Sequence, residues 1–223
     1  MFRPRGTYGL MNGMKEQFGL YLILTDPVAG YETCAKAAVD CGVRYLQLRM
    51  KDASRATLLE TARALRDITH GTQTRFIIND DLSVAIESDA DGLHLGQGDQ
   101  PLTEARAEWN TPGKIFGLST HSTGQAFQSQ ELSPDYIGVG PVLPTPTKAN
   151  VGSALGSEEV GRIVQATPLT AVAIGGINAE NLPALLEAGI GNFCVVRAVN
   201  DATNPVTAIR NLQTIWKNCH FKT

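Results

Sequence analysis

No Cys-x-x-Cys pair occurs in this chain; its four cysteines stand at 34, 41, 194 and 219. No histidines carry zinc-site spacing either, so reduced structural thiols are the expectation. Neither sign of charge dominates. With 19 basic against 22 acidic residues and a formal net charge of −3, no nucleic-acid or polyanion surface is expected, and any anion site must be local. No apolar run is long enough to span a membrane. The N-terminal "MFRPRGTYGLMNGMKEQ" has arginines but no continuous apolar segment behind them. A secretory signal is therefore not expected, and the cytoplasm is the default location. The first strand-like run ends in "LTDPVAG", without the glycine-rich turn that an open dinucleotide-binding sheet usually shows. No nucleophile elbow surrounds Ser119, so a catalytic serine is not expected.

What the chain does have is a repeated unit. Strand-length apolar runs lie at 20–24, 43–49, 75–79, 91–95, 114–118, 135–139, 170–174 and 192–196. Helical patterns follow them at 31–41, 54–70, 81–88, 102–109, 123–131, 157–166, 179–188 and 203–218. Ser54, Ser122, Ser157, Asn178 and Thr203 are suited to cap helix starts, and Gly189 to end one. Strand-helix alternation implies a parallel sheet with helices outside. Eight units in one domain of this length predict an α/β fold, a single (β/α)8 TIM barrel over 19–223. Residues 1–18 read as a polar extension outside it.

A barrel of this kind keeps its chemistry just after the strands. The polar, charged and glycine residues of this chain gather there, as "LRMKD", "NDD", "GQGD", "STHS", "GPVLPTPTK", "GGI" and "RAV". Gln47, Arg49 and Lys51 are spaced by two, so in extended chain they share a face opposite Leu46 and Leu48. Such a face suits a charged phosphate and a polar ring, or local ion pairs. Asp80 and Asp99 end neighbouring strands; they suit Mg²⁺ bridging to a substrate phosphate, or they cap the helices that follow. Asp81 is a further capping candidate. Gly175 and Gly176 allow backbone N–H groups to approach an anion, and also suit a tight turn. His94 and His121 read as structural. The segment "GPVLPTPTKAN" at 140–150 is too rich in proline for a helix or central strand, and it offers two threonines and one lysine but no carboxylate.

Taken in order, "YLILTDP", "YLQLRMKD", "INDDLSVAIESDADGLHLGQGD", "GLSTHS", "DYIGVGPVLPTPTK" and "VAIGGIN" resemble the thiamine phosphate synthase family, from about residue 20 to 200. The resemblance implies a magnesium-dependent transfer. A 4-amino-2-methylpyrimidine carried on a methylene diphosphate is joined to a thiazole phosphate, which gives thiamine phosphate and diphosphate. Such a reaction separates charge at a methylene carbon, so it calls for cations on the leaving group more than for a strong base. By the same resemblance Arg49, Lys51 and Lys148 are catalytic, and Gln47, Asn79 and Ser119 join them on the pyrimidine diphosphate. Asp80 and Asp99 hold Mg²⁺; Thr145, Thr147, Gly175, Gly176, Val196 and Arg197 surround the thiazole phosphate. The partners implied are two small phosphorylated molecules, and a homo-oligomer stays open. The family commonly has Ser-Ala-Ile after its last strand, where this chain has Arg197-Ala198-Val199. A thiazole tautomerase shares the fold and a histidine after the fifth strand, which His121 matches, and a non-catalytic sensor of thiamine phosphates is a third reading. The acid pair argues against both, and the Gln47-Arg49-Lys51 face against the tautomerase.

Overall fold

The apolar runs become strands because both of their faces are covered. In the computed structural model, which describes residues 15–145 and 153–220, eight parallel strands close into one barrel in chain order. They are β1 (Leu20–Leu24), β2 (Tyr45–Leu48), β3 (Arg75–Asn79), β4 (Gly92–Leu95), β5 (Ile115–Thr120), β6 (Tyr136–Val139), β7 (Ala171–Ile174) and β8 (Phe193–Val195). Around them pack α1 (Tyr31–Asp40), α2 (Arg55–Thr69), α3 (Leu82–Glu87), α4 (Leu102–Glu108), α5 (Thr123–Leu132), α6 (Ser157–Ala166), α7 (Leu182–Glu187), α8 (Arg197–Asn200) and α9 (Pro205–His220). Among the described residues no helix is long and apolar enough to cross a membrane. All four cysteines are free thiols.

The period of two along each strand separates two cores. Leu20, Leu22, Leu24, Leu46 and Leu48 point outward into the main core under the helices. Tyr21, Ile23, Tyr45, Ile77, Tyr136, Val172 and Cys194 fill the barrel itself. Each fully buried leucine contributes roughly 1.5–3 kcal/mol relative to exposure. Three tyrosines meet inside, with ring centroids 5.4, 5.6 and 5.7 Å apart. Phe18 packs against them with its ring tilted, centroid 4.7 Å from that of Tyr45. Of the polar extension predicted over 1–18, residues 15–18 thus pack on the barrel: Glu16 pairs with Arg44 at 3.1 Å, and Lys15 donates to the Val164 carbonyl.

Two asparagines fasten the seam where the last strand meets the first. Below β8, Asn192 accepts from the Phe18 and Gly19 N–H groups at 2.8 and 3.1 Å. Above it, Asn200 donates to the Ile23 and Val196 carbonyls at 2.8 and 2.7 Å and accepts from the Thr25 N–H at 2.9 Å. At the N-terminal end of the barrel the charges close on one another. Asp91 accepts from the Phe76 N–H at 2.9 Å and pairs with Arg66 at 3.2 Å; Lys114 donates to Asp89 at 2.8 Å. Asp135 accepts from the Phe116 N–H at 2.8 Å.

Ser54, Asp81 and Ser122 cap α2, α3 and α5 with their side chains, as expected. Other ends differ. Gly156, at φ 82°, precedes α6, so Ser157 is its first residue and not its cap. Asn204 takes the place expected of Thr203, accepting from the Thr207 N–H at 3.0 Å. Asn178 organises a turn by accepting from Glu180 and Asn181, which delays α7 to Leu182.

Candidate active site

At the C-terminal end of the strands lies a cavity of about 420 Å³, whose walls include Gln47, Arg49, Asn79, Ser119, Thr145, Gly175, Gly176, Val196 and Arg197. A second cavity of about 560 Å³ adjoins it, and Lys51 lies in its wall. Arg49, Val196, Arg197 and Asp201 line both. The residues expected from β2, β3, β5, β7 and β8 therefore converge on one double chamber.

The β2 side is built by strand parity. Gln47 faces into the barrel, only 1% exposed, and donates from Nε2 to the Tyr21 hydroxyl at 2.9 Å. Its Oε1 is buried with no hydrogen-bond partner among the described residues. The Arg49 backbone N–H continues the ladder to the Leu24 carbonyl at 2.9 Å, while its guanidinium has no side-chain partner among the described residues. Lys51 has left the strand and pairs with Asp80.

Asp80 stands at φ 64°, a left-handed conformation uncommon for a residue with a side chain. Its N–H donates to the His94 carbonyl at 2.9 Å, which ties β3 to β4 at the rim. Burial raises its carboxyl above the ordinary range, and the neighbouring Asp99 carboxyl adds to the rise; Lys51 acts against both. Asp99 is turned back on its own loop, accepting from the Gly96 N–H at 2.7 Å. Neither acid caps a helix: Asp81 does so for α3, and α4 starts behind Pro101 without a side-chain cap. Two carboxylates in each other's field, one of them already drawing an ammonium group, are suited to a divalent cation. Mg²⁺ is commonly held by one or two carboxylates with substrate phosphates completing its shell.

His94 bridges two side chains. Nδ1 lies 3.0 Å from the Tyr136 hydroxyl and Nε2 lies 2.8 Å from Ser119 Oγ. His121 is held by Nδ1 against the Gly140 carbonyl at 2.8 Å. Both histidines also lie in the wall of the cavity.

On the far side, Gly175 and Gly176 adopt φ 111° and 68°. A Cβ at Gly175 would lie 2.6 Å from Pro141 Cβ, and one at Gly176 would lie 2.8 Å from Leu143 Cβ. The glycine pair is required by the loop packed over it, whatever else it binds. Thr145 lines the cavity, whereas Thr147 and Lys148 lie outside the described residues. Arg197, the departure from the usual serine, opens α8 and donates from Nε to Asp201 at 2.9 Å.

Sequence reasoning passed over Tyr21, Tyr136 and Asn200. The signal was present for the tyrosines: Tyr21 shares parity with Ile23, and Tyr136 opens the short run "YIGV". A phenol buried inside a barrel must find a hydrogen-bond partner. Asn200 sits on a helix too short to leave a periodic pattern.

Residues 20–199 match the family model described as thiamine monophosphate synthase. The chain is similar to the thiamine-phosphate synthase of Archaeoglobus fulgidus, 37% identical over 204 residues, which cover 91% of this chain and 95% of that one. The thiamine-phosphate synthase of Vibrio campbellii is 38% identical over 193 residues, 86% of this chain and 94% of that one. Among solved structures, the thiamine phosphate pyrophosphorylase of Pyrococcus furiosus superposes with a TM-score of 0.81 at 30% identity, covering 91% of this chain and 96% of that one.

Proposed function

The chain belongs to the thiamine monophosphate synthase family and is a transferase that makes thiamine phosphate, and on that premise we propose how its residues divide the work. Gln47, Arg49, Lys51, Asn79 and Ser119 bind the pyrimidine diphosphate, with Lys148 reaching it from the loop after β6. Thr145, Thr147, Gly175, Gly176, Val196 and Arg197 bind the thiazole phosphate. The observation that carries this reading is the cavity of about 420 Å³, in whose wall Gln47, Arg49, Asn79 and Ser119 stand together with Thr145, Gly175, Gly176, Val196 and Arg197.

The bond from the pyrimidine methylene to diphosphate breaks with its electron pair staying on the diphosphate oxygen. The thiazole nitrogen then supplies the pair for the new carbon–nitrogen bond. No side chain has to abstract a proton from carbon in this exchange. The work lies in neutralising the leaving group, which Arg49, Lys51 and Lys148 do as fixed cations, and in holding both reactants face to face. The Arg49 guanidinium is available for this, because its backbone is held in the strand ladder at the cavity wall. Asp80 and Asp99 hold Mg²⁺, which when bound adds positive charge to the leaving diphosphate. What supports the metal is the placement of two carboxyl groups, Asp80 and Asp99, just after the adjacent strands β3 and β4, with the Lys51 ammonium already drawn to the first. The partners are the two phosphorylated small molecules, and free thiols favour a reducing compartment such as the cytoplasm.

Incubation of both substrates with Mg²⁺, followed by separation of products, tests the reading. Thiamine phosphate and diphosphate are expected in equal amounts, with loss of both on chelation. Formation that persists unchanged in Asp80→Asn, Asp99→Asn and chelator would remove the metal from the proposal.

A further inference from the structure

The second cavity is bounded by three strand ends. β8 neighbours β1 and β1 neighbours β2, so the cavity lies over the end of β1, between the end of β2 and the start of α8. With strands about 4.8 Å apart, its two flanks stand about 10 Å from each other. Among the described residues the cations in its wall are Arg49 and Lys51 on the β2 flank and Arg197 on the β8 flank. The segment after β1 contributes Thr25 and Asp26 and no cation.

At Arg197 the chain has a cation where the family commonly has serine, and that cation has a partner. Arg197 Nε donates to Asp201 Oδ2 at 2.9 Å, four residues on. The pair is not what holds the helix. Asn200 fastens α8 through the Ile23 and Val196 carbonyls and the Thr25 N–H, and an exposed pair of this spacing adds little to stability. What the pair does is orient. It engages Nε and leaves the fork of two Nη groups, the part of a guanidinium that grips phosphate oxygens. Both members of the pair line both cavities. A serine here would be a short, neutral contact on the β8 side; an arginine carries a permanent charge on a long stem toward the opposite flank.

We infer that Arg197 is a further leaving-group cation, which faces the departing diphosphate from the β8 side while Arg49 and Lys51 face it from the β2 side, and that Asp201 is the positioning residue that holds its guanidinium. This rests on the assignment of Arg49 and Lys51 to the diphosphate, and it goes beyond the contact of Arg197 with the thiazole phosphate. The carbon–oxygen bond breaks with its electron pair staying on the diphosphate oxygen. Arg197 neither gives nor takes a proton in this step; it stabilises the negative charge that gathers there.

The experiment measures dissociation constants of inorganic diphosphate and of thiazole phosphate, each alone in Mg²⁺ buffer, for the full chain, Arg197→Ser, Asp201→Asn and the double variant, with Arg49→Ala as control. Arg197→Ser is expected to weaken diphosphate binding about tenfold, the order of one charge-assisted hydrogen bond. Its thermal midpoint should not move, because both side chains of the pair are more than half exposed. The dependence of diphosphate affinity on salt should flatten with the lost charge. Asp201→Asn is expected to weaken diphosphate binding about threefold in the wild type and not at all in the Arg197→Ser background, because it acts only through the arginine. The same loss in both backgrounds would make Asp201 a merely structural residue and overturn its part. Arg197→Ser that weakens thiazole phosphate alone, or neither ligand, overturns the inference so long as Arg49→Ala weakens diphosphate. If Arg49→Ala also leaves diphosphate at its wild-type affinity, the assignment of the diphosphate to this face has failed, and the functional reading falls with it.

Discussion

The two ends of the barrel spend their charges in opposite ways. At the N-terminal end Arg66, Arg75 and Lys114 turn onto Asp89 and Asp91, and the same Asp91 also receives a strand N–H. Arg66 Nε is the one buried nitrogen there without a partner among the described residues, and the same guanidinium still reaches both acids. At the C-terminal end the Arg49 guanidinium and Gln47 Oε1 have no partner among the described residues, two acids crowd one another, and Asp80 sits in a left-handed conformation. The first end stabilises the fold. The second holds polar groups that a ligand can satisfy, which is the usual cost of a binding site; the left-handed acid is common to both ends, since Asp89 stands at φ 50°.

The sharpest break of this comparison comes at Asp80. Asp80→Asn is expected to lower turnover at least about a hundredfold, equivalent to roughly 2.7 kcal/mol of transition-state stabilisation. Its thermal midpoint is expected to hold or rise, since asparagine tolerates the left-handed region and a raised carboxyl is one that folding disfavours in its charged form. A large fall in the midpoint would mean that this end too is built for stability.

At the opposite end the effects should exchange places. Asp91→Ala removes a carboxylate whose side chain is 16% exposed, and it leaves two arginines and the Phe76 N–H short of a partner. Urea unfolding is expected to show a loss of about 2–3 kcal/mol, with turnover per folded molecule unchanged.

A smaller and more selective effect belongs to Arg49. Arg49→Ala should weaken pyrimidine diphosphate binding by about tenfold, near 1.4 kcal/mol, and thiazole phosphate binding much less. Titration of each ligand separately checks the asymmetry; equal losses would dissolve the division between the two sides of the chamber.

The smallest effect is one of pH. Hydrogen bonding from Lys114 is the main cause that holds the Asp89 carboxyl below its ordinary range. A depressed carboxyl adds stability that is present above the unfolded value of 3.8 and lost as pH falls through the lower folded one. Because the Asp89 side chain is 72% exposed, the contribution is at most about 1 kcal/mol. Comparing Asp89→Asn with wild type, the stability difference should shrink below that pH and be flat from neutrality down to about 5.

The barrel was legible in the sequence because parallel strands covered on both faces read as unbroken apolar runs, and "LYLIL" and "YLQL" fall where the runs predict. The rim was legible because polar residues gathered after strands and ordinary turns before them. What escaped has physical reasons. Pattern cannot reveal a four-residue helix such as α8, nor show that "KEQF" folds back under the barrel. The glycine pair at 175–176 gave two readings, an anion site and a tight turn, and the close contact with Pro141 and Leu143 is a third demand that no local pattern shows. The hydrogen bonds that run from Gln47 through Tyr21, Tyr136 and His94 to Ser119 join β1, β2, β4, β5 and β6, and a contact through the centre of a closed sheet has no local trace.

The asparagine-fastened seam has a consequence for how the molecule is made. β8 is only 3 residues long and arrives last, yet it supplies the neighbour that β1 lacks. The contacts that secure it join residues 173 to 177 positions apart in the chain. During synthesis β1 through β7 can therefore pair only as an open sheet, with two raw edges exposed at the ribosome. Closure waits until the segment from Asn192 to Asn200 has left the exit tunnel, so a chain interrupted just before it keeps most of its apolar residues and both of its sticky edges.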